Sequence, residues 1–175
     1  MILSGDAIKA AVAGGDIVIE PFNEAQVGPN SYDFRLGNRC KVYKDQVLDP
    51  LKQNEVVESV IPPEGLLLAP GRIYLVNTLE TMGSTKYVPI IRGRSSTGRL
   101  GLFIDVTADL IDLGSINQWT LQLVPVLPLL IYPEILIGQV TFWTTKGAPA
   151  AYSGRYKGRE SPTESLAYQD IPLGK

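Results

Sequence analysis

The stretch from Arg92 to Asp112 concentrates residue types suited to phosphate and sugar chemistry. Arg92, Arg94, Ser95, Ser96 and Arg99 crowd around Gly93 and Gly98. Glycines permit close backbone approach, hydroxyls and exposed amides donate to phosphate oxygens, and guanidinium groups add charge and a bidentate fork. Asp112 follows an apolar run, where its carboxylate can reach a sugar or a water. Composition alone slightly favours a plainer reading, a basic turn leading into an ordinary strand.

What the chain lacks narrows the chemistry further. It has no histidine, which removes Ser-His-Asp and Cys-His nucleophile systems and the His-containing zinc motif of one deaminase superfamily. Cys40 is the single cysteine, so neither a disulfide framework nor a thiolate-rich metal site is expected. Carboxylates, hydroxyls, backbone groups and arginines must do any catalysis. No protein-bound catalytic metal is expected; Mg²⁺ arriving with a nucleotide triphosphate is the natural candidate. The net charge of -2 argues against general affinity for nucleic acid, so phosphate binding must be local.

These groups need a scaffold, and 175 residues suffice for one domain, 1–175, with its own core. Ser4 can cap a short helix with Ile8, Ala11 and Val12 on one face, ended by Gly14 and Gly15. Short β-rich runs follow: Ile17 to Ile19, Tyr32 to Leu36, Cys40 to Tyr43, Val56 to Ile61, Leu66 to Leu68 and Ile73 to Thr78. They continue at Tyr87 to Ile91, Leu102 to Val106, Trp119 to Val124, Leu129 to Tyr132 and Val140 to Trp143. Thirteen prolines and seventeen glycines punctuate them, which excludes long helices and predicts an all-β sandwich or distorted barrel. The most apolar tract, Leu121 to Val140, is broken by Pro125, Pro128, Pro133 and Glu134 and is a poor membrane span. The N-terminus lacks the pattern of a secretory signal, so a cytoplasmic location, or the host cytoplasm for a viral protein, is the expectation.

From Thr144 the periodicity stops, and Arg155, Lys157 and Arg159 alternate among glycines, serines and prolines. A solvated tail is the plain reading of residues 144–175.

The motifs together resemble the dCTP deaminase family of the dUTPase superfamily. GRSSTGRLGL (Gly93 to Leu102) and TADLID (Thr107 to Asp112) are similar to its central signature. VGPNSYDFRLG (Val27 to Gly37) resembles its early motif, most closely that of archaeal members. IYPEILIGQVTF (Ile131 to Phe142) resembles its late strand pair, and YSGRYKGRESPTES (Tyr152 to Ser165) its C-terminal lid. The opening Met1-Ile2-Leu3-Ser4 is also typical.

The resemblance implies a distorted β-barrel or jelly-roll-like fold of the dUTPase type, with a short N-terminal helix and a flexible lid over 144–175. It implies a homotrimer, or a dimer of trimers, with active sites between subunits. Arg94, Ser95 and Ser96 would hold the triphosphate, and Asp112 the sugar 3′-hydroxyl. Thr107 and Ala108 would offer backbone groups near the base and the catalytic water, and Arg99 would reach a neighbour's site. Gln139 would support the site from its strand. Tyr152, Arg155 and Arg159 would be the lid contacts, although the family commonly has Lys and Gln at the last two. The implied ligands are dCTP and dUTP, with dTTP as an inhibitor; neither nucleic acid nor a membrane is an implied partner.

One catalytic position departs. The family has a glutamate ten residues beyond the Asp of the Ile-Asp pair, and here that position is Gln122, flanked by matching Thr120, Leu121 and Leu123. An amide keeps the shape and hydrogen bonding of a carboxylate but cannot hold the proton at neutral pH. General acid–base catalysis contributes ~10²–10⁴-fold, so binding should survive while deamination is severely slowed. Three explanations stand: a deliberate Glu→Gln change in a deaminase, a natural divergent member, or recruitment of another group. Asp109, Leu113, Ser115 and Asn117 also depart, where Gly, Pro, an aromatic and Gly are usual. The leading expectation is a metal-independent dCTP deaminase giving dUTP and ammonia. The alternatives are a dUTP diphosphatase or bifunctional enzyme giving dUMP, and a non-catalytic nucleotide sensor.

Overall fold

The computed structural model describes residues 1–158 and 160–170. Helix α1 (Gly5–Ala13) starts where Ser4 Oγ accepts from the Ala7 N–H and ends at Gly14. Ile8 and Ala11 are buried and Val12 packs beside them, so the apolar face reads as the sequence predicts.

Eleven strands follow among the described residues: β1 (Ile17–Glu20), β2 (Tyr32–Tyr43), β3 (Val56–Val60), β4 (Leu66–Leu68), β5 (Tyr74–Thr78) and β6 (Thr81–Ser84). Then come β7 (Tyr87–Gly93), β8 (Leu102–Phe103), β9 (Thr120–Pro125), β10 (Leu129–Ile131) and β11 (Leu136–Thr144). A short helix, α2 (Ser95–Arg99), lies between β7 and β8. The main sheet runs β7-β11-β2-β5-β9-β8 with β3 also paired to β2, and the pairs β1-β6 and β10-β4 lie apart from it. The architecture is mostly β and barrel-like, as expected.

Strand β2 joins the two halves of the main sheet. Its first residues pair with β11 and its later ones with β3 and β5, and the register shifts between Leu36 and Cys40. Gly37 sits at that shift, where a Cβ would come within 2.4 Å of the Asn77 side chain. Without a side chain there, Asn77 Oδ1 can accept from the Arg39 N–H and stitch the bend.

The core follows the two-residue period of strands. Tyr32, Phe34 and Leu36 from β2, Leu121 and Leu123 from β9, and Val140 and Phe142 from β11 are buried. Gln122, between two core leucines, is thereby turned to the opposite face of β9.

At three places the structure changes or adds to the elements read from the sequence. The run Leu102 to Val106 stops as a strand at Phe103, because Asp105 Oδ1 accepts from the Ala108 N–H and turns the chain. The glycine-bearing Ser95–Arg99 segment, read from the sequence as a basic turn, forms a short helix. Thr81–Ser84, with no strand pattern in its sequence, pairs with β1. There Gly83 is required by close approach, since a Cβ would meet the Ser115 carbonyl at 2.6 Å.

Candidate active site

A cavity of about 590 Å³ opens beside β5 and β9, a size that suits a nucleoside. Asp105, Thr107, Ala108, Ile111, Ser115, Asn117, Trp119 and Gln122 line one part of it, and Tyr43, Ile73 and Leu75 another. Each lining group has a local cause. The turn made by Asp105 ends β8 and leaves Thr107 and Ala108 exposed at the cavity. The Ser115–Asn117 segment is pinned to β6 by paired hydrogen bonds between Met82 and Asn117, of 3.1 and 3.2 Å. Ser115 Oγ donates to Asn117 Oδ1 at 3.2 Å. Two departures from the family pattern, Ser115 and Asn117, therefore make part of the cavity wall polar.

Gln122 reaches the cavity from β9, and its N–H donates to the Ile104 carbonyl at 3.0 Å. That bond sets Gln122 against the residue preceding Asp105. Burial raises the Asp105 carboxyl from its ordinary value; the Ala108 N–H opposes the shift, Asp109 adds to it, and Arg92 opposes it. Arg92 and Asp109 form an ion pair with each other, so Asp109 has a partner in the place where the family has a glycine.

The tail closes the remaining side. Tyr156, Thr163, Glu164 and Ser165 line the cavity. The Thr163 N–H donates to Thr120 Oγ1 at 3.0 Å and the Ser165 N–H to the Tyr43 hydroxyl at 2.9 Å. Glu164 lies 2.9 Å from the Lys41 ammonium. Burial works against the charge on Lys41, yet Glu164 and Glu58 outweigh it and raise its pKa. Leu166 is buried, so this part of the tail has an anchor in the body of the fold.

The expected site residues fall into separate groups. Thr107, Ala108 and Gln122 share the cavity. Arg94, Ser95, Ser96, Arg99 and Asp112 are not among its lining residues. Ser95, Ser96 and Arg99 are exposed on or beside α2, and Arg99 forms no ion pair among the described residues. The Arg94 Nε lies 2.9 Å from Asp33 Oδ2. Asp33 pairs in register with Gln139, so Gln139 sits on the strand beneath this cluster rather than at the cavity. Asp112 is exposed at the turn its carbonyl closes with the Ser115 N–H, immediately after the cavity residue Ile111.

In the tail, the Tyr152 N–H donates to the Leu113 carbonyl at 2.7 Å. Arg155 donates to the Leu166 carbonyl at 2.7 Å and pairs with Asp170. Tyr156, rather than Tyr152, lines the cavity. Arg159 lies outside the described residues. Sequence reasoning passed over Asp105, whose signal was a carboxylate two residues before Thr107, and the Lys41–Glu164 pair, which no local pattern announces.

A family model described as dCTP deaminase-like matches residues 2–145. The chain belongs to the dCTP deaminase-like family. Relatives named "dCTP deaminase, dUMP-forming" match it over nearly their whole length. The Clostridium botulinum (strain Eklund 17B / Type B) protein is 47% identical over 98% of this chain and 99% of its own. The Cytophaga hutchinsonii protein is 45% identical over the same shares, and the Leptospira biflexa protein is 42% identical over 98% of each. Among solved structures, the 2′-deoxycytidine 5′-triphosphate deaminase from Agrobacterium tumefaciens is similar at a TM-score of 0.66 and 24% identity. The match covers 82% of this chain and 48% of that one. This last likeness shows the fold. Among the described residues, no helix is long and apolar enough to cross a membrane, and no three His, Cys, Asp or Glu residues converge on a metal-sized site.

Proposed function

We propose that this protein deaminates dCTP and then cleaves the triphosphate, releasing dUMP. The observation that carries this reading is the near-complete match, at 42–47% identity, to relatives named for that product. It favours the bifunctional alternative over release of dUTP. The cavity supports it, since the base-side segment Thr107–Ala108 and the position of the family glutamate line one space.

In the proposed reaction, the cytosine ring enters the cavity and a water attacks the ring carbon bearing the amino group. Peptide groups of Thr107 and Ala108 orient base and water. Arg94, Ser95 and Ser96 hold the triphosphate, which brings its own Mg²⁺, and Asp112 holds the sugar hydroxyl. Those phosphate and sugar groups lie outside the cavity of their own chain. A site assembled from two copies of the chain explains that separation. Arg99 is exposed, and so are Leu100 and Phe103 near it in the chain and Val126 and Leu127, where the Val126 N–H donates to the Gly101 carbonyl. All four apolar residues expose more than half of their surface, which fits a face covered by another subunit. A homotrimer, or two trimers together, is the assembly we favour. A soluble enzyme of cytoplasmic nucleotide metabolism, with dTTP as a feedback ligand, completes the reading.

Incubation with dCTP and with dUTP, followed by nucleotide chromatography, tests it. Formation of dUMP and ammonia from dCTP is the expected result. Accumulation of dUTP would restrict the protein to deamination, and dUMP from dUTP alone would restrict it to phosphate chemistry. Gln122 favours one other reading, a nucleotide sensor. Tight binding with neither substrate consumed would establish that instead.

A further inference from the structure

If the deaminase reading holds, a proton acceptor is still missing, because the Gln122 amide cannot take a proton from water at neutral pH. Two carboxylates line the cavity among the described residues, Asp105 and Glu164. Glu164 is engaged by the Lys41 ammonium at 2.9 Å. Asp105 forms no ion pair among the described residues and accepts from the Ala108 N–H at 3.1 Å. It lies next to the backbone of Gln122, through the 3.0 Å bond from the Gln122 N–H to the Ile104 carbonyl.

We propose that Asp105 is the proton acceptor for the attacking water, supplying from the end of β8 the carboxylate that β9 lacks. This rests on the deaminase reading above. Ile104, Leu121 and Leu123 are buried, and Asp105 and Gln122, next to them in each segment, line the cavity. Water's oxygen bonds to the ring carbon, and one of its protons passes to the Asp105 carboxylate. That proton is delivered to the amino nitrogen as the carbon–nitrogen bond breaks, and ammonia leaves. Asp105 is a carboxylate again once that proton has left with ammonia, and the remaining hydroxyl proton settles on the ring nitrogen, which gives the uracil carbonyl. Gln122 donates and accepts hydrogen bonds that hold the water in line.

The surroundings of Asp105 suit this work. Partial burial raises its basicity, as a general base acting near neutral pH requires. The charged groups bearing on it are Asp109, which adds to the effect, and Arg92, which opposes it. The cavity lining also holds Glu164, paired with Lys41, and the phenols of Tyr43 and Tyr156.

The test uses the full chain with dCTP, measuring kcat, KM and their pH dependence for four proteins: the parent, Asp105→Asn, Gln122→Glu and the double variant. Asn retains the oxygen that accepts from Ala108, and thermal melts confirm that each variant folds. Asp105→Asn is expected to lower kcat by ~10²–10⁴-fold with KM nearly unchanged. The acid limb of the parent's pH profile should vanish with it. Adding Gln122→Glu to Asp105→Asn should return most of the lost rate, because a carboxylate is restored to the same space. A folded Asp105→Asn protein with the parent's kcat overturns the proposal and leaves the deaminase reading standing. Loss of dCTP affinity without rescue by Gln122→Glu assigns Asp105 a structural role and also overturns it. A parent protein that binds dCTP without deaminating it removes the deaminase reading, and this proposal falls with it.

Discussion

The carboxylate of Glu80, wholly buried, grips Arg35 twice: Oε1 accepts from the guanidinium Nε at 2.8 Å and Oε2 from the backbone N–H at 2.9 Å. Gln26 also donates to Oε1, at 3.3 Å. The pair fastens β2 to the turn between β5 and β6, and Arg35 lies within the segment that resembles the family's early motif. That motif therefore has a structural task that its sequence does not advertise.

Removing one partner of such a pair leaves an uncompensated charge and costs about 3–5 kcal/mol, whereas the intact pair need not be a net stabiliser. Glu80→Ala should therefore lower the urea midpoint sharply. Glu80→Gln, which keeps acceptor geometry on one oxygen, should lower it less. Equal and small shifts in both would show that Arg35 finds another partner or reaches water.

Asp105 makes an opposite prediction for stability. Its carboxyl is raised in the folded protein, chiefly by burial. Such a group favours folding below its unfolded pKa and loses that contribution as pH rises through the folded value. At pH 7 the ionised Asp105 thus works against the fold, and Asp105→Asn should raise the melting temperature while reducing activity. The gain should shrink as the buffer is taken below the usual carboxylate range. A variant less stable than the parent at pH 7 would mean that the charged carboxylate gains more than the amide does from its surroundings, by an amount that outweighs its burial.

Much of this molecule was legible in the sequence, and the failures share a cause. Ser4, Ile8, Ala11 and Gly14 mark α1 because capping and helical period act within a few residues. The alternation of Leu121, Gln122 and Leu123 places Gln122 away from the core before any partner strand is known. What escaped depends on contacts between distant segments. Thr81–Ser84 carries no strand pattern, and its pairing with β1 depends on Gly83 fitting under Ser115. Leu102 to Val106 has a strand pattern, but a side chain inside the run, Asp105, turns the chain back on itself. Asp112 drew attention through its motif, whereas Asp105 matters through its position beside Gln122 and within the cavity, which the motif does not encode.

Cys40 is buried in the core, and burial pushes its thiol up to about 11. Thiolate is the reactive species, so iodoacetamide at pH 8 should label the folded protein far more slowly than the same protein in denaturant. The linkage runs with the same sign: stability is full below the unfolded thiol pKa and declines as pH rises towards 11. Rapid labelling under native conditions would reveal opening around β2 and β3.

Removing residues after Ala151 deletes Tyr156, Thr163, Glu164 and Ser165 from the cavity wall, and Arg155 with them. The strands of the main sheet all precede that point. Nucleotide affinity should fall much more than the melting temperature does. A truncated chain that binds dCTP as tightly as the parent would dissociate the tail from the site.

The shared-site assembly can be tested without a structure of the complex, by mixing two disabled proteins. Arg99→Ala removes the group assigned to a neighbour's site. Ala108→Trp fills the cavity of its own chain, where Ala108 is exposed on the wall. Each variant alone should be inactive on dCTP, for different reasons. In a closed trimer every site draws its cavity from one subunit and its arginine from the next. After the two are unfolded together and refolded in equal amounts, a site is intact when an Arg99→Ala subunit lends its cavity and an Ala108→Trp subunit lends its arginine. Half of the cavities and half of the arginines are sound, so about a quarter of the parent activity should return. Light scattering on the mixture verifies that trimers form. Mixed trimers with no recovered activity would place Arg99 and the cavity of the same chain in one site, and a monomer with full activity would remove the need for a neighbour altogether.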